Sequence, residues 1–235
     1  MVSVGDARVL GIIPAKGGST RFPRKNITLL SGQTLLERCA RAMLDAKILD
    51  DLVVSSESEE VLDVAYSLGL KAPFIRPSEL AKDPAGVVHV VQHTIDELAK
   101  SGEIFDTVVV CLPTCPLRDA GDVVGAYNLF RETATTVMSI SEFTHTPFAA
   151  QKVTEGGQLE PWFPDFWGRK SQEMPRAYRP NGAVHVVDVD VLRATSSMLG
   201  PPVVGYEMPR ERSIDIDTEA DLHEAATYLA RLHEA

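Results

Sequence analysis

Apolar positions follow two alternating rhythms along the chain. Continuous apolar runs at Val9–Pro14, Leu52–Ser55 and Thr107–Leu112 alternate with stretches in which apolar side chains recur every three or four residues. Over about Gln33–Lys47 the residues Leu35, Leu36, Cys39, Ala40, Met43 and Leu44 make one stripe. Over about Glu57–Leu68, Val61, Leu62, Ala65 and Leu68 make another, with Gly69 where a left-handed residue closes a helix. A short strand is predicted at Pro73–Ile75, then helices of about Gly86–Lys100 and Asp119–Arg131 and a strand at Thr135–Ile140. The run Asp106–Leu112 lacks polar alternation, as a strand covered on both faces does. The order predicts an α/β fold with a doubly wound, mostly parallel sheet.

From about Ser141 to Pro180 the rhythm stops. This stretch holds both tryptophans and four of the eight phenylalanines, so it reads as an insertion (141–180) that buries aromatic surface, either on its own domain or against a second subunit, where aromatics are enriched. The pattern then resumes with a strand at Ala183–Val189, a helix at Val189–Ala194, and strands at Val203–Glu207 and Ser213–Ile216. A last helix of about Thr218–His233 carries Ala220, Leu222, Ala225, Ala226, Leu229 and Leu232 on its apolar face. No internal repeat is present, and residues 1–235 read as one domain.

Composition narrows the function. With 44% hydrophobic residues and no low-complexity tract the chain is not a disordered tail. Its apolar runs fall well short of the ~20 residues that span a bilayer, and no charged leader with a cleavage site opens it. Three cysteines, odd in number, suit a reducing cytoplasm better than a disulfide framework. The formal charge of −10, from 33 acidic and 23 basic side chains, argues against nucleic acid as a partner. No membrane partner is expected either.

Against that acidic background the loop after the first strand stands out. It reads Ile13-Pro-Ala-Lys-Gly-Gly-Ser-Thr-Arg-Phe-Pro-Arg-Lys-Asn-Ile27, two adjacent glycines among the cations Lys16, Arg21, Arg24 and Lys25. Glycines let backbone N–H groups face an anion and cations neutralise it, the requirements of a triphosphate cradle; a solvated basic turn is the plainer alternative. The loop matches neither G-x-G-x-x-G nor G-x-x-x-x-G-K-[ST]. Near the other end, Asp215 and Asp217 are spaced i, i+2, so on a strand both carboxylates face one side and can converge on a hard cation such as Mg2+. Asp217 is equally placed to cap the last helix. His89 and His93 share a helix face, but no Glu follows His89 as a zinc-protease motif requires. Cys111 and Cys115 flank Leu-Pro-Thr without a redox motif and read as packing.

The loop resembles the nucleotide-binding signature of the acylneuraminate cytidylyltransferase (CMP-sialic acid synthetase) family. The likeness recurs, in order, at Pro73-Phe-Ile-Arg-Pro77, Leu112-Pro-Thr-Cys-Pro-Leu-Arg118, Tyr178-Arg-Pro-Asn-Gly-Ala183 and Met208-Pro-Arg-Glu-Arg-Ser-Ile-Asp-Ile-Asp-Thr218. The resemblance implies a Rossmann-like nucleotidyltransferase sheet with a dimerising insertion. It implies that CTP activates a sialic-acid-like 3-deoxy-ulosonic acid to a CMP-sugar, with Mg2+ (or Mn2+) as cofactor, in a cytoplasmic homodimer. Residue by residue, it implies a nucleotide site of Ala15, Lys16, Gly17, Gly18, Ser19, Lys25 and Asn26, with Arg76 near the cytosine. Lys16, Arg21 and Lys25 would stabilise the departing pyrophosphate, Asp217 is a candidate base, and Asp215 and Asp217 are the metal ligands. Arg118, Arg169, Lys170, Gln172, Arg179 and Asn181 would form the sugar-acid pocket; for Arg118 a purely structural place in a rigid turn is equally open.

Four places depart from the family's pattern. Lys16 stands where Arg is usual, Thr20 where Lys is frequent, and Leu112 where a sugar-associated Gln is usual; Ser-Ser-Glu-Ser at Ser55–Ser58 replaces Ser-Thr-Asp-Asp. The Tyr178–Ala183 stretch resembles the neuraminate and legionaminate members more than the pseudaminate ones. Rival expectations are a nucleotidyltransferase for another sugar or cofactor acceptor, a non-catalytic nucleotide sensor, and a dinucleotide-dependent oxidoreductase, the last disfavoured by the missing fingerprint.

Overall fold

The computed structural model describes residues 7–19 and 21–234, with side chains through Arg231. Thr20 and the side chains of Leu232 and His233 lie outside the described residues. In chain order the elements are β1 (Val9–Pro14), β2 (Leu29–Leu30), β3 (Gln33–Thr34), α1 (Leu35–Asp45), β4 (Asp51–Ser55), α2 (Glu59–Ser67), α3 (Val87–Lys100), β5 (Thr107–Val110), α4 (Ala120–Thr133) and β6 (Thr136–Glu142). Then follow β7 (Gln151–Val153), β8 (Leu159–Pro161), β9 (Tyr178–Asp188), α5 (Val189–Thr195), β10 (Val203–Glu207) and α6 (Glu219–Glu234).

Six strands form one sheet in the order β10-β6-β9-β5-β1-β4. β1 lies parallel to both β4 and β5, and β6 parallel to β10; β9 alone runs antiparallel, against β5 and β6. The sheet is therefore doubly wound and mostly parallel. Because β1 has its next two sheet partners on opposite sides, its C-terminal end is a switch point, where open α/β sheets leave a crevice for ligands.

Both faces are covered, which explains the unbroken apolar runs. Val9, Ile13, Val54 and Val109 pack beneath Leu36, Cys39, Met43, Val61 and Val123 of α1, α2 and α4. Leu10, Ile12, Val53, Val108 and Val110 face Val91, Ile95 and Leu192 of α3 and α5. Each such Leu, Ile or Val contributes about 1.5–3 kcal/mol on burial. Helix ends follow local chemistry: Thr34 accepts the Glu37 N–H at 3.0 Å, Asp119 and Asp122 exchange bonds across the start of α4, and Gly69 takes φ +71° after α2.

Two predicted strands are absent. Pro73–Ile75 joins no strand; parallel pairing there ends in an isolated bridge between Val53 and Lys71, and Ile75 is exposed. Ser213–Ile216 forms no strand and lies outside the sheet, with the Ile216 N–H donating to the Thr114 carbonyl at 2.7 Å instead of to a neighbouring strand. Conversely, β9 starts at Tyr178, five residues before the predicted Ala183, and so carries Arg179 and Asn181.

Between β6 and β9 the chain forms an arm built on the β7–β8 hairpin and short 3-10 turns. Phe148 contacts Phe163 and Phe166 at ring distances of 5.3 and 4.7 Å, yet Trp162 and Trp167 remain 63% and 58% exposed. Among the described residues no helix is long and apolar enough to cross a membrane.

Candidate active site

A cavity of about 250 Å3 opens at the C-terminal end of β1. One wall is the glycine loop, with Lys16, Ser19, Lys25 and Asn26; the other comes from Leu80, Ala81 and the start of α3; Leu112–Thr114, after β5, borders both. Sequence reasoning missed that second wall, because nothing in residues 78–87 carries a charge pattern or glycine signature.

The loop is held from beneath by the protein's own polar groups. The Ala15 N–H donates to the Ser55 carbonyl at 3.0 Å, extending the β1–β4 ladder, and the Gly17 N–H donates to Glu57 Oε1 at 2.8 Å. Both of these backbone N–H groups are therefore engaged within the protein. Gly17 is glycine for a steric reason, since a Cβ there would sit 2.4 Å from Ser58 Cβ. Gly18 meets no such wall. Among the described residues, the backbone N–H groups of Lys16, Gly18 and Ser19 have no hydrogen-bond partner, and Lys16 has no ion pair. These are the groups left to meet an anion.

The cavity floor is polar and buried. Asn26, 5% exposed, donates from Nδ2 to the Lys16 carbonyl at 2.8 Å, which turns Oδ1 the other way and leaves it without a partner. Arg76, 2% exposed, donates to the Ser55 carbonyl at 3.3 Å and pairs with Glu57, while its Nε is unpartnered. Burial opposes the Glu57 carboxylate, but its own backbone N–H, that of Gly17 and the Arg76 guanidinium outweigh burial and hold the carboxyl below the usual range. A buried acceptor and a buried donor, each unpaired and each on a residue that lines the cavity, cost about 1–3 kcal/mol apiece.

At the mouth, Asp217 accepts from Lys25 Nζ and pairs with the Arg21 guanidinium, both at 2.8 Å. The Lys25 hydrogen bond dominates in holding its carboxyl below the ordinary value. Both of its carboxylate oxygens are thus engaged by cations of the glycine loop. Asp217 does not cap α6: Thr218 and Asp221 do so, with the Thr218 N–H donating to Asp221 Oδ2 at 2.7 Å. Asp215 differs. Burial pushes its carboxyl up, and the charge of Asp217 adds to this, although Thr114, Lys25 and Arg179 pull the other way. Arg24 faces elsewhere, pairing with Glu60 on α2.

The two aspartates fit a magnesium ion chemically, because Mg2+ takes oxygen ligands, uses one or two carboxylates and completes its octahedron with water and phosphate. Among the described residues no set of three or more His, Cys, Asp or Glu could enclose a metal by itself. His89 instead accepts the Gly86 N–H, and His93 packs edge-on against Phe74.

Several residues of the expected sugar-acid pocket take other places. Arg118 is buried and donates to the carbonyls of Leu112 and Ala183 at 2.8 to 3.0 Å, so it braces the β5–α4 turn from behind. Asn181 is fully engaged: Oδ1 accepts from Ser139 Oγ at 2.6 Å and the Ala183 N–H at 3.1 Å, while Nδ2 donates to Ser213 Oγ at 2.9 Å. Arg169, beside the Phe166 ring, and Lys170 and Gln172 are exposed on the arm and do not line the cavity. Of this group Arg179, exposed and close enough to act on Asp215, stays beside the site. Cys39, Cys111 and Cys115 are buried and unbridged, and burial pushes the thiols of Cys111 and Cys115 up to about 12, as packing residues require.

A cation-bearing glycine loop at the switch point of a mostly parallel sheet, paired with Asp217 and walling a cavity of about 250 Å3, is the arrangement of a nucleotidyltransferase. The model for the family described as "Cytidylyltransferase" matches residues 10–116. Pseudaminic acid cytidylyltransferase of Campylobacter jejuni subsp. jejuni serotype O:2 is 32% identical over 227 residues, 96% of this chain and 98% of that protein. CMP-N,N'-diacetyllegionaminic acid synthase of Legionella pneumophila is 29% identical over 216 residues, covering 91% and 93% of the two chains. Among solved structures, a CMP:2-keto-3-deoxy-manno-octonic acid synthetase complexed with CTP superposes with a TM-score of 0.72 at 15% identity, over 96% of this chain and 100% of that one, a likeness of fold. The chain belongs to the cytidylyltransferase family.

Proposed function

We propose that the protein transfers a cytidylyl group from CTP to the anomeric hydroxyl of a sialic-acid-like nonulosonic acid, releasing pyrophosphate. The observation that carries this is the unpaired couple at the cavity floor, Asn26 Oδ1 and Arg76 Nε. Cytosine presents an exocyclic amine that donates and ring N3 and O2 atoms that accept. Asn26, fixed by its bond to Lys16, offers an acceptor, and Arg76 offers a donor. Uracil would set its O4 against the Asn26 oxygen, acceptor against acceptor. The acceptor sugar is supported by the relatives' names, pseudaminic and legionaminic, and we leave the choice between such sugars to assay.

In this mechanism the chain supplies position and charge more than covalent chemistry. The open amides of Lys16, Gly18 and Ser19 and the Lys16 ammonium receive the triphosphate. Lys25 and Arg21, pre-oriented by Asp217, would stabilise charge on the departing pyrophosphate. Asp215 and Asp217 would hold magnesium (or manganese), which when bound supplies positive charge to the phosphates.

The test is pyrophosphate release with each of the four nucleoside triphosphates and magnesium, against eight- and nine-carbon 3-deoxy keto acids. Release with CTP and a nine-carbon acid is expected, and loss of release on chelation with EDTA. Equal rates with UTP, or turnover of a hexose 1-phosphate instead, would defeat the reading.

We also propose a homodimer formed through the arm, since Trp162 and Trp167 are large apolar groups left uncovered by their own chain. Sedimentation of the wild type should give twice the chain mass of 25.6 kDa, and the double substitution Trp162→Ser, Trp167→Ser should shift it towards monomer. A wild-type monomer at micromolar concentration would rule this out.

A further inference from the structure

We infer that Glu57 is a positioning residue that makes the glycine loop and the base-reading arginine a single unit, an inference that rests on the CTP reading above. Among the described residues its carboxylate is the side-chain group that bonds to both, alongside the Ser55 backbone carbonyl, which accepts from the Ala15 N–H and from Arg76. Oε1 takes the Gly17 N–H at 2.8 Å and Oε2 takes Arg76 NH2. The side chain is 15% exposed, so each bond is formed in a largely dry setting. Ser58, its neighbour, packs against Gly17 closely enough to forbid a Cβ, so the loop rests on the chain just before α2 as well as bonding to it.

Three consequences follow. The Gly17 amide points down at Glu57, which fixes the direction in which the rest of the loop presents its open N–H groups. The Arg76 charge is neutralised locally, so its free Nε–H acts as a hydrogen-bond donor to a neutral base edge and does not draw a phosphate into the base cavity. Finally, displacing either end of the carboxylate leaves a buried charge unpaired, so the loop and the arginine keep their places together.

Glu57→Gln preserves the shape of the side chain but leaves one acceptor for two donors, so an amide N–H must face either Gly17 or Arg76. We expect KM for CTP to rise about tenfold or more, with kcat at saturating CTP changed less than about threefold. The ratio of kcat/KM for CTP over UTP should fall. Glu60→Gln, which removes the Arg24 partner one residue beyond the start of α2, serves as control and should alter neither. Wild-type KM and selectivity in Glu57→Gln overturn the inference, as does a fall in kcat with unchanged KM and a lowered Tm, the mark of a merely structural carboxylate. Should Glu57→Gln fail to fold, Glu57→Asp keeps the charge but is one methylene too short to reach both partners. A raised KM then supports the inference, and a wild-type KM overturns it. A wild-type enzyme indifferent to CTP overturns the function and this inference together; a wild type that prefers CTP beside an unchanged Glu57→Gln removes the inference alone.

Discussion

Asp215→Ala is expected to lower turnover by about a thousandfold or more while the protein melts at or above the wild-type temperature. The kinetic loss corresponds to about 4 kcal/mol of transition-state stabilisation, within what a bound divalent ion supplies. The stability should survive because the charge of Asp215 is disfavoured by burial, which outweighs its hydrogen bond with Thr114. Asp215→Asn sharpens the contrast by keeping the shape, removing the charge and leaving the fold intact. Turnover measured with CTP and magnesium, beside a thermal melt, checks both halves. Near-normal turnover of either variant would sink the assignment, and a collapse of the melt would move Asp215 from chemistry to scaffold.

Arg118→Leu should do the reverse. It is expected to destabilise the fold by about 3–5 kcal/mol, because the Leu112 and Ala183 carbonyls lose a buried charged donor. For a chain of this length the melting temperature should fall by about 10 °C. Both carbonyls lie where β5 and β9 run side by side, and the Leu112–Thr114 turn that borders the cavity depends on the bond. Chemical denaturation with urea measures the loss. A variant of unchanged stability that merely binds the sugar acid more weakly would restore Arg118 to the substrate pocket.

Much of the architecture was legible in the order of residues, and particular cases show why. Val9–Pro14 and Val203–Glu207 match the observed strands end to end, since apolar side chains bounded by turn residues leave little freedom of register. Pro73–Ile75 misled because its residues are apolar, yet Pro73 opens it without an N–H to donate, Pro77 follows two residues beyond it, and Ile75 points to solvent. Ser213–Ile216 misled for a different reason: its alternation is real, but its backbone pairs with the Thr114 turn. The antiparallel sense of β9 has no local signature at all. In the site, the clustering of Lys16, Lys25, Asn26, Arg76 and the aspartates was readable from motifs. Whether a polar side chain within a motif faces a ligand or the interior was not, and Arg118 and Asn181 bond within the interior. Glu57 was visible as a departure from pattern, although only coordinates reveal what it bridges.

The reversed course of β9 has a topological consequence for the arm. Parallel neighbours must be joined by a crossover that carries the chain back to the opposite edge of a sheet, whereas antiparallel neighbours are joined at one edge. β6 and β9 are antiparallel and pair through Ser141 with Arg179 and Glu142 with Tyr178, so the arm leaves and re-enters at the same end, the end that holds the cavity. The arm is thus an overgrown hairpin, whose length can change without shifting any strand, and it projects from the same edge of the sheet as the cavity.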